Sequence, residues 1–447
     1  TNRLKNLLDT HEIKYEYATK GSVKGYNYNT QSEEKLNTSD GDLVVHTNQP
    51  KGKMVEVLFE PKAKLVDSLT YDITAWSIPY AHGFEAIASK TKVNSSKISS
   101  TKNNLNTIDN DAYAYISKWN SIEDAAFLSD LLQQNIAPRY AGKPFSLEGK
   151  SYDRGTLIIL RNDNRTAEFD EKLIEIANKH ERNVQPVATG FVDTGLDFGS
   201  YSVKPIKKQK VALLSGEETS SLSFGEVWHF FETELKYPIT NLNSNYFSSV
   251  DISKYDVIII PEGYYSSFLT TEILDKLSSF VSSGGTLIIL GNAVNAFADK
   301  KGFALKSKEV KKDSTSFNLT RYADLERKGV KNLITGAIFK SKVDVTHPLA
   351  FGYKKDYFSL KLSGDSYHYL QDGFNVAYFE QDSKNISGYA GSEAVKLVPE
   401  SLLFGEEQKG RGSVVYLVDN ILLRSFWNNG KLFLANAVFL LNSDIIK

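Results

Sequence analysis

The sequence predicts an α/β fold in two domains, on three observations. The chain has 447 residues, which is two or three times the length of an ordinary domain. Beyond residue 210, the runs "VALLSG", "YDVIIIPEG" and "TLIILGNA" are built on continuous Val, Ile and Leu and are separated by amphipathic stretches. That is the pattern of parallel strands covered on both faces. From about residue 303 to 420 the texture changes to shorter strand-like runs with Gly, Ser and Asn turns. The expected domains are therefore 1–205, an α/β region, and 206–447, a parallel-sheet domain with a β-rich elaboration.

Taken in order, "RLKNLLDTHEI" carries a helical pattern, and "YEYAT" and "DLVVHT" read as short strands. The block "DSLTYDITAWSIPYAHGFEAIAS" is apolar and aromatic, and its end is expected to be helical. The run "SKTKVNSSKISSTKNNLNTIDND" that follows is rich in Ser, Asn and Lys and reads as a long exposed loop over 90–111. Residues 112–205 then alternate strand and helix, as in α/β layering: "AYAYIS", "IEDAAFLSDLLQQN", "GTLIILR", "TAEFDEKLIEIANKHE", "VQPVATG". "KPIKKQK" at 204–210 reads as a linker, and the pattern restarts after it. In the helix "SFGEVWHFFETEL" the stripe is Phe224, Val227, Trp228, Phe231 and Leu235. A last apolar helix, "NGKLFLANAVFLL", is expected to pack back on the α/β layer.

A formal net charge of -1 supplies no global field to draw the chain onto nucleic acid. No window approaches the roughly 18 consecutive apolar residues of a membrane span. With no Cys there is no disulfide framework, no thiolate metal site and no cysteine nucleophile. Met54 is the only Met, so Thr1 is expected to be a processing boundary with something upstream.

Two places invite a chemical reading. The first is the H-x-x-E spacing of His82 and Glu85, a pair used as zinc ligands by carboxypeptidases. On a helix through 78–89 the two would share a face away from the apolar stripe of Tyr80, Phe84 and Ile87. The Arg that usually precedes the Glu is replaced by Phe84. "DNR" at 163–165 imitates the Asn-Arg pair that grips a substrate carboxylate, and His180 or His229 would have to be the third ligand. "HFFE" repeats the spacing at His229 and Glu232, so the motif recurs by accident within this chain. No catalytic residue and no metal ligand is assigned.

The second place is the crevice at the carboxyl ends of the parallel strands, where open α/β sheets bind ligands. Its loops bring Ser215, Gly216 and Glu217, then Glu262, Gly263 and Tyr264, then Gly291 and Asn292. Glu217, Glu262, Tyr264 and Asn292 are expected to face one another. A hydrolase of unknown type on Glu217, Glu262 and Tyr264 is one use of such a crevice. Tyr264 with Tyr265 as a sugar or peptide platform is another.

The layout from "VALLSG" through "YDVIIIPEG" to "GGTLIILGNA" is similar to that of class I glutamine amidotransferases, a flavodoxin-like parallel sheet. In that family the last of these strands ends in a turn bearing a nucleophilic Cys. Here Gly291 and Asn292 stand there, so the resemblance implies a degenerate member without thioester chemistry. Over nearly its whole length the chain also resembles the C-terminal, non-peptidase region of large bacterial zinc carboxypeptidases. The segments that carry this are "GDLVVHTNQPKGKMVEVLFEP", "DSLTYDITAWSIPYAHGFEA", "RGTLIILR", "PVATGFVDTGLDFGS" and "DNILLRSFWNNGKLFLANAVF". The resemblance implies an accessory region of an exported protein, periplasmic or extracellular, that docks to an upstream peptidase domain or holds peptide or cell-envelope glycan near it. Zinc is expected only in that upstream domain. The rival is a self-contained zinc metallopeptidase using His82 and Glu85.

Overall fold

The computed structural model describes residues 2–65, 67, 72–97, 105–308 and 321–441. Its centre is the sheet the apolar runs foretell. Val211–Ser215, Val257–Ile260 and Thr286–Leu290 pair in parallel, with Ile239–Asn243 outside the first and Gly412–Leu417 beside the third. Burial on both faces explains the lack of alternation. Val211 and Leu213 enter one core and Ala212 and Leu214 the other, as Ile259 and Ile258 do on the next strand.

The β-rich stretch is not a separate layer. Ser401–Lys409, Phe374–Phe379, Ala337–Val343 and Asp356–Lys361 continue the same sheet by antiparallel pairing, and Asn385–Ser387 adds to the Ala337 strand. Among the described residues the sheet has ten strands and joins the two textures through Gly412–Leu417, which is buried at every position. Residues 309–320 of this stretch lie outside the described residues.

One face carries the helix Thr271–Ser282, capped by Thr270 and facing inward with Ile273, Leu277, Phe280 and Val281. The other carries Ser221–His229, which widens into a π-helical turn over Phe230–Leu235, and the last helix Lys431–Phe439, buried on all sides. The buried face differs from the expected stripe. Phe230 lies in the core together with Phe231, while Phe224 and Trp228 are only partly covered.

Residues 112–205 differ from the expected layering. Five of their strands, Gln185–Val187, Ala114–Ser117, Leu157–Leu160, Arg139–Ala141 and Val203–Pro205, form one sheet that pairs antiparallel throughout. The helix Ile122–Gln133 does return the chain in its starting direction, as a crossover should. The Leu157 strand then inserts between the two it connects and runs against both. The "KPIKKQK" segment is fastened rather than free: Ile206 and Gln209 are buried, and Tyr237 Oη bonds both the N–H and the C=O of Gln209 at 2.7 Å. One apolar core runs from Tyr115 and Leu173 through Leu213 and Phe231 to Phe439, so the sheets before and after this segment share their packing.

The described residues before 98 form the helices Asn2–Thr10 and Gly52–Phe59, a third, shorter helix, and small sheets that lie against the rest. The helix expected over 78–89 is five residues long, Ile78–His82, and stops at Gly83 with φ +70°. An added Cβ there would sit 2.1 Å from Asn429 Oδ1, so glycine is required for conformation and for space. The chain then extends, and Ile87–Ala88 pairs with Tyr26 and Asn27. Residues 98–104 of the 90–111 loop lie outside the described residues, whereas Asn106 is bonded to Asn178 and Arg182.

Candidate functional site

The carboxyl ends of the parallel strands gather the predicted loops, with Glu262 at the centre. The Thr286 strand ends at Gly291, φ +53°, which opens a 3-10 turn to Ala296. A Cβ on Gly291 would fall 2.1 Å from Glu262 Oε1 and within 2.6 Å of its carboxyl carbon. The Glu262 side chain therefore fills the space into which a side chain at this turn would project. Its loop is pinned from both sides: the Glu262 N–H donates to Ser223 Oγ at 3.0 Å, and the Ser220 N–H donates to the Glu262 carbonyl at 2.8 Å. Gly263 N–H donates to Asn292 Oδ1 at 2.9 Å.

Beyond it lies a second carboxylate. Asn420, after the Gly412 strand, donates one Nδ2 hydrogen to Glu262 Oε2 at 3.1 Å and the other to Glu226 Oε2 at 2.8 Å. Glu226 Oε1 accepts the Arg424 N–H at 2.6 Å. Burial and then the neighbouring Glu226 push the Glu262 carboxyl up to about 7, against the opposing bonds from Asn292 and Asn420; Asp419 adds to the rise. Asp419 is itself engaged, by Lys361 Nζ at 3.0 Å and Ser359 Oγ at 2.5 Å.

The other predicted residues divide. Ser215 Oγ donates to Asn241 Oδ1 at 2.5 Å. Gly216, φ +135°, lets the chain pass Ser244, whose Oγ would be 2.0 Å from an added Cβ. Glu217 and Tyr264 do not face Glu262: both are exposed on the rim, Tyr264 at 83%. Tyr265 is no part of a platform, since it is buried and donates to the Pro261 carbonyl at 2.9 Å. Glu218, Glu226, Asp419 and Asn420 escaped the sequence reading. Glu218 ties three loops, accepting from Ser244 Oγ at 2.6 Å and from the Tyr264 N–H at 2.7 Å. Asn420 had a signal: "GSVVYL" is a fifth parallel strand, and the residues after it belong to the same rim.

Neither H-x-x-E builds a metal centre. His82 ends its helix half-buried, 3.4 Å from Asn428 Nδ2, and burial together with Lys431 and Arg3 lowers its pKa to about 4. Glu85 stands beyond Gly83 on the surface, paired with Lys354 at 2.5 Å. His229 lies 3.7 Å from Glu234, and Glu232 accepts from Trp228 Nε1 at 2.7 Å. His180 Nε2 is 2.9 Å from Asp130. Among the described residues no group of three His, Asp or Glu is arranged to hold a metal ion. Asn164 and Arg165 line a cavity of about 610 Å³ with Tyr113, Arg161 and Phe169. Asn164 is not available to a substrate, because its amide bonds Ala137 N–H, Ala137 C=O and Leu160 C=O.

The chain matches no protein family model and no curated protein sequence. Among solved structures it is similar to a glutamine amidotransferase from Thermotoga maritima, at 8% identity and a TM-score of 0.32, over 52% of this chain and 96% of that one. It is similar also to a β-galactosidase from Bacillus circulans sp. alkalophilus, at 12% identity and a TM-score of 0.30, over 60% of this chain and 34% of that one. A cytoplasmic protein from Salmonella typhimurium gives 11% identity and a TM-score of 0.29, over 52% of this chain and 99% of that one. No helix among the described residues is long and apolar enough to cross a membrane.

Proposed function

We propose that this chain is a non-catalytic module of an exported zinc-carboxypeptidase-like protein, carrying a degenerate class I amidotransferase-like domain. It docks to the peptidase domain, which holds the zinc, or presents peptide or cell-envelope glycan to it. The observation that supports the non-catalytic reading is the occupied turn at Gly291. Nucleophilic catalysis on this scaffold needs a side chain there with a base beside it. Glycine stands in its place, and the Glu262 carboxyl takes up the room. The peptidase association rests on the sequence resemblance carried by "TYDITAWSIPYAHGFEA" and the other segments quoted above.

The test mixes this chain with the carboxypeptidase-type domain of its own polypeptide at micromolar concentrations and follows association by calorimetry and peptidase turnover. Association with a change in turnover is expected. Absence of both overturns the docking reading. The crevice favours a second reading, a hydrolase using Glu262, because a carboxyl near neutrality suits proton transfer. A hydrolytic activity abolished in Glu262→Gln would replace the module reading.

A further inference from the structure

The segment from Asn420 to Gly430 runs from the crevice to the N-terminal region as a strap. At its start, Asn420 Oδ1 accepts the Leu422 N–H at 2.9 Å. Arg424 and Ser425 then adopt left-handed backbone conformations, φ +47° and +56°, which residues with side chains rarely take, let alone in succession. The Arg424 turn is held by Glu226 Oε1 on its N–H, while the Arg424 side chain points away to Asp72 at 3.8 Å. Further on, Trp427 is buried, Asn428 Oδ1 accepts from Arg3 at 3.3 Å and from Lys431 at 2.9 Å, and Asn429 reaches the Tyr80 carbonyl at 3.4 Å.

Two carboxyls thus hang on one amide group. The charged and titratable groups around Glu262 are Glu226 on the Ser221 helix, Asp419 after the Gly412 strand, Glu218 in the loop after the Val211 strand, and the Tyr265 hydroxyl in its own loop. Of the basic groups around the latch, Lys361 is engaged with Asp419, the Arg424 guanidinium lies toward Asp72, and the His229 imidazole on the Ser221 helix is 3.4 Å from Ser425 Oγ. Among the described residues neither Glu226 nor Glu262 has an ion pair.

We propose that Glu262, Asn420 and Glu226 form a proton-operated latch on this strap. With a proton on Glu262, the Asn420 amide bridges one neutral and one charged carboxyl, and Glu226 holds the disfavoured Arg424 turn. When Glu262 loses the proton, two anions face each other across a single NH2 group with no cation between them. Glu226 turns away, the Arg424 N–H loses its acceptor, and the 422–426 turn relaxes toward ordinary backbone angles. The crevice beside Gly291 opens, and the strap's hold on the N-terminal region loosens. The latch requires neither a peptidase partner nor any catalysis.

Hydrogen exchange of the intact chain, followed on peptides covering 420–426 and corrected for the intrinsic pH dependence of exchange, tests this. Protection is expected to fall about tenfold or more between about pH 6 and pH 8 in the wild type, and to stay level in Glu262→Gln. A wild type with level protection overturns the latch, as does an equal fall in Glu262→Gln. Should Glu262→Gln not fold, Glu226→Gln keeps an oxygen for the Arg424 N–H while removing the facing charge. Its protection is expected to persist at pH 8, and a fall in this variant as large as that of the wild type also overturns the latch.

Discussion

Glu234 and Glu262 are two sequestered carboxyls, set at opposite ends of the same strap, and they titrate in opposite directions. Burial alone would raise Glu234, but Lys431 at 2.8 Å and Arg3 at 2.6 Å reverse it and hold the group below the usual range. Glu262 is raised to about 7 by burial first and then by Glu226, which faces it where Glu234 has cations. The difference teaches that desolvation sets only the starting point, and that the partner decides the sign. It also separates a structural hub from a switchable site. The hub joins the N-terminal helix, through Arg3, to the helix Ile122–Gln133, through Glu123, and to the last helix, through Lys431.

The contrast can be broken most severely at Lys431. Lys431→Met removes the more deeply buried of the two cations on Glu234 and leaves it with Arg3, which Glu123 shares, and the Ser425 hydroxyl at 3.1 Å. This is expected to lower unfolding free energy by about 3 kcal/mol in urea titration at pH 7. Next comes Gly291→Ala, which sets a methyl against the Glu262 carboxyl at a left-handed position and should cost about 2 kcal/mol. In a Glu262→Ala background the same substitution should cost less, and an equal cost would show that the two residues do not share the space.

The pH dependence sharpens the comparison further. Glu262 has a folded pKa above its unfolded value, so its stabilisation is complete below about pH 4.5 and is lost as pH rises through about 7. Urea midpoints between pH 5 and pH 8 should fall more in the wild type than in Glu262→Gln, by the equivalent of roughly 1 to 2 kcal/mol once solvent screening is allowed for. Glu234 runs the other way. Its stabilisation is present above the unfolded pKa and fades as pH drops through its lowered folded value, so Glu234→Gln should flatten only the acid limb. The smallest effect is expected at the rim, where Tyr264→Ser should change stability by less than about 0.5 kcal/mol.

Much of the parallel sheet was legible because its inner strands Val211–Ser215, Val257–Ile260 and Thr286–Leu290 are buried on both faces and are therefore continuous apolar runs. The edge strand Ile239–Asn243 is mostly polar and left no such run. The antiparallel order of residues 112–205 was not legible either, since a helix between two strands fixes their relative direction but not which strand comes to lie between them. Helical spacing placed Val227, Phe231 and Leu235 inward as found, but the buried face is centred on Ser223, Val227 and Phe230, so Phe224 and Trp228 are only partly covered. At the crevice, loop position alone located Glu262, Gly291 and Asn292. It could not separate these from Glu217 and Tyr264, which occupy the same loops and point outward. Glu226 and Asn420 were hidden for another reason: one sits in mid-helix, and the other follows a strand whose parallel partner lies far back along the chain.

That distant pairing also shapes how the molecule is made. The Thr286–Leu290 strand has its second edge covered only by Gly412–Leu417, supplied near the end of the chain. During synthesis the central strands must wait, one flank of backbone amides and carbonyls unpaired, while more than a hundred further residues emerge. A nascent chain halted before residue 412 would present a flat, apolar edge to its neighbours. For this sheet the vulnerable period is the interval before Gly412–Leu417 arrives.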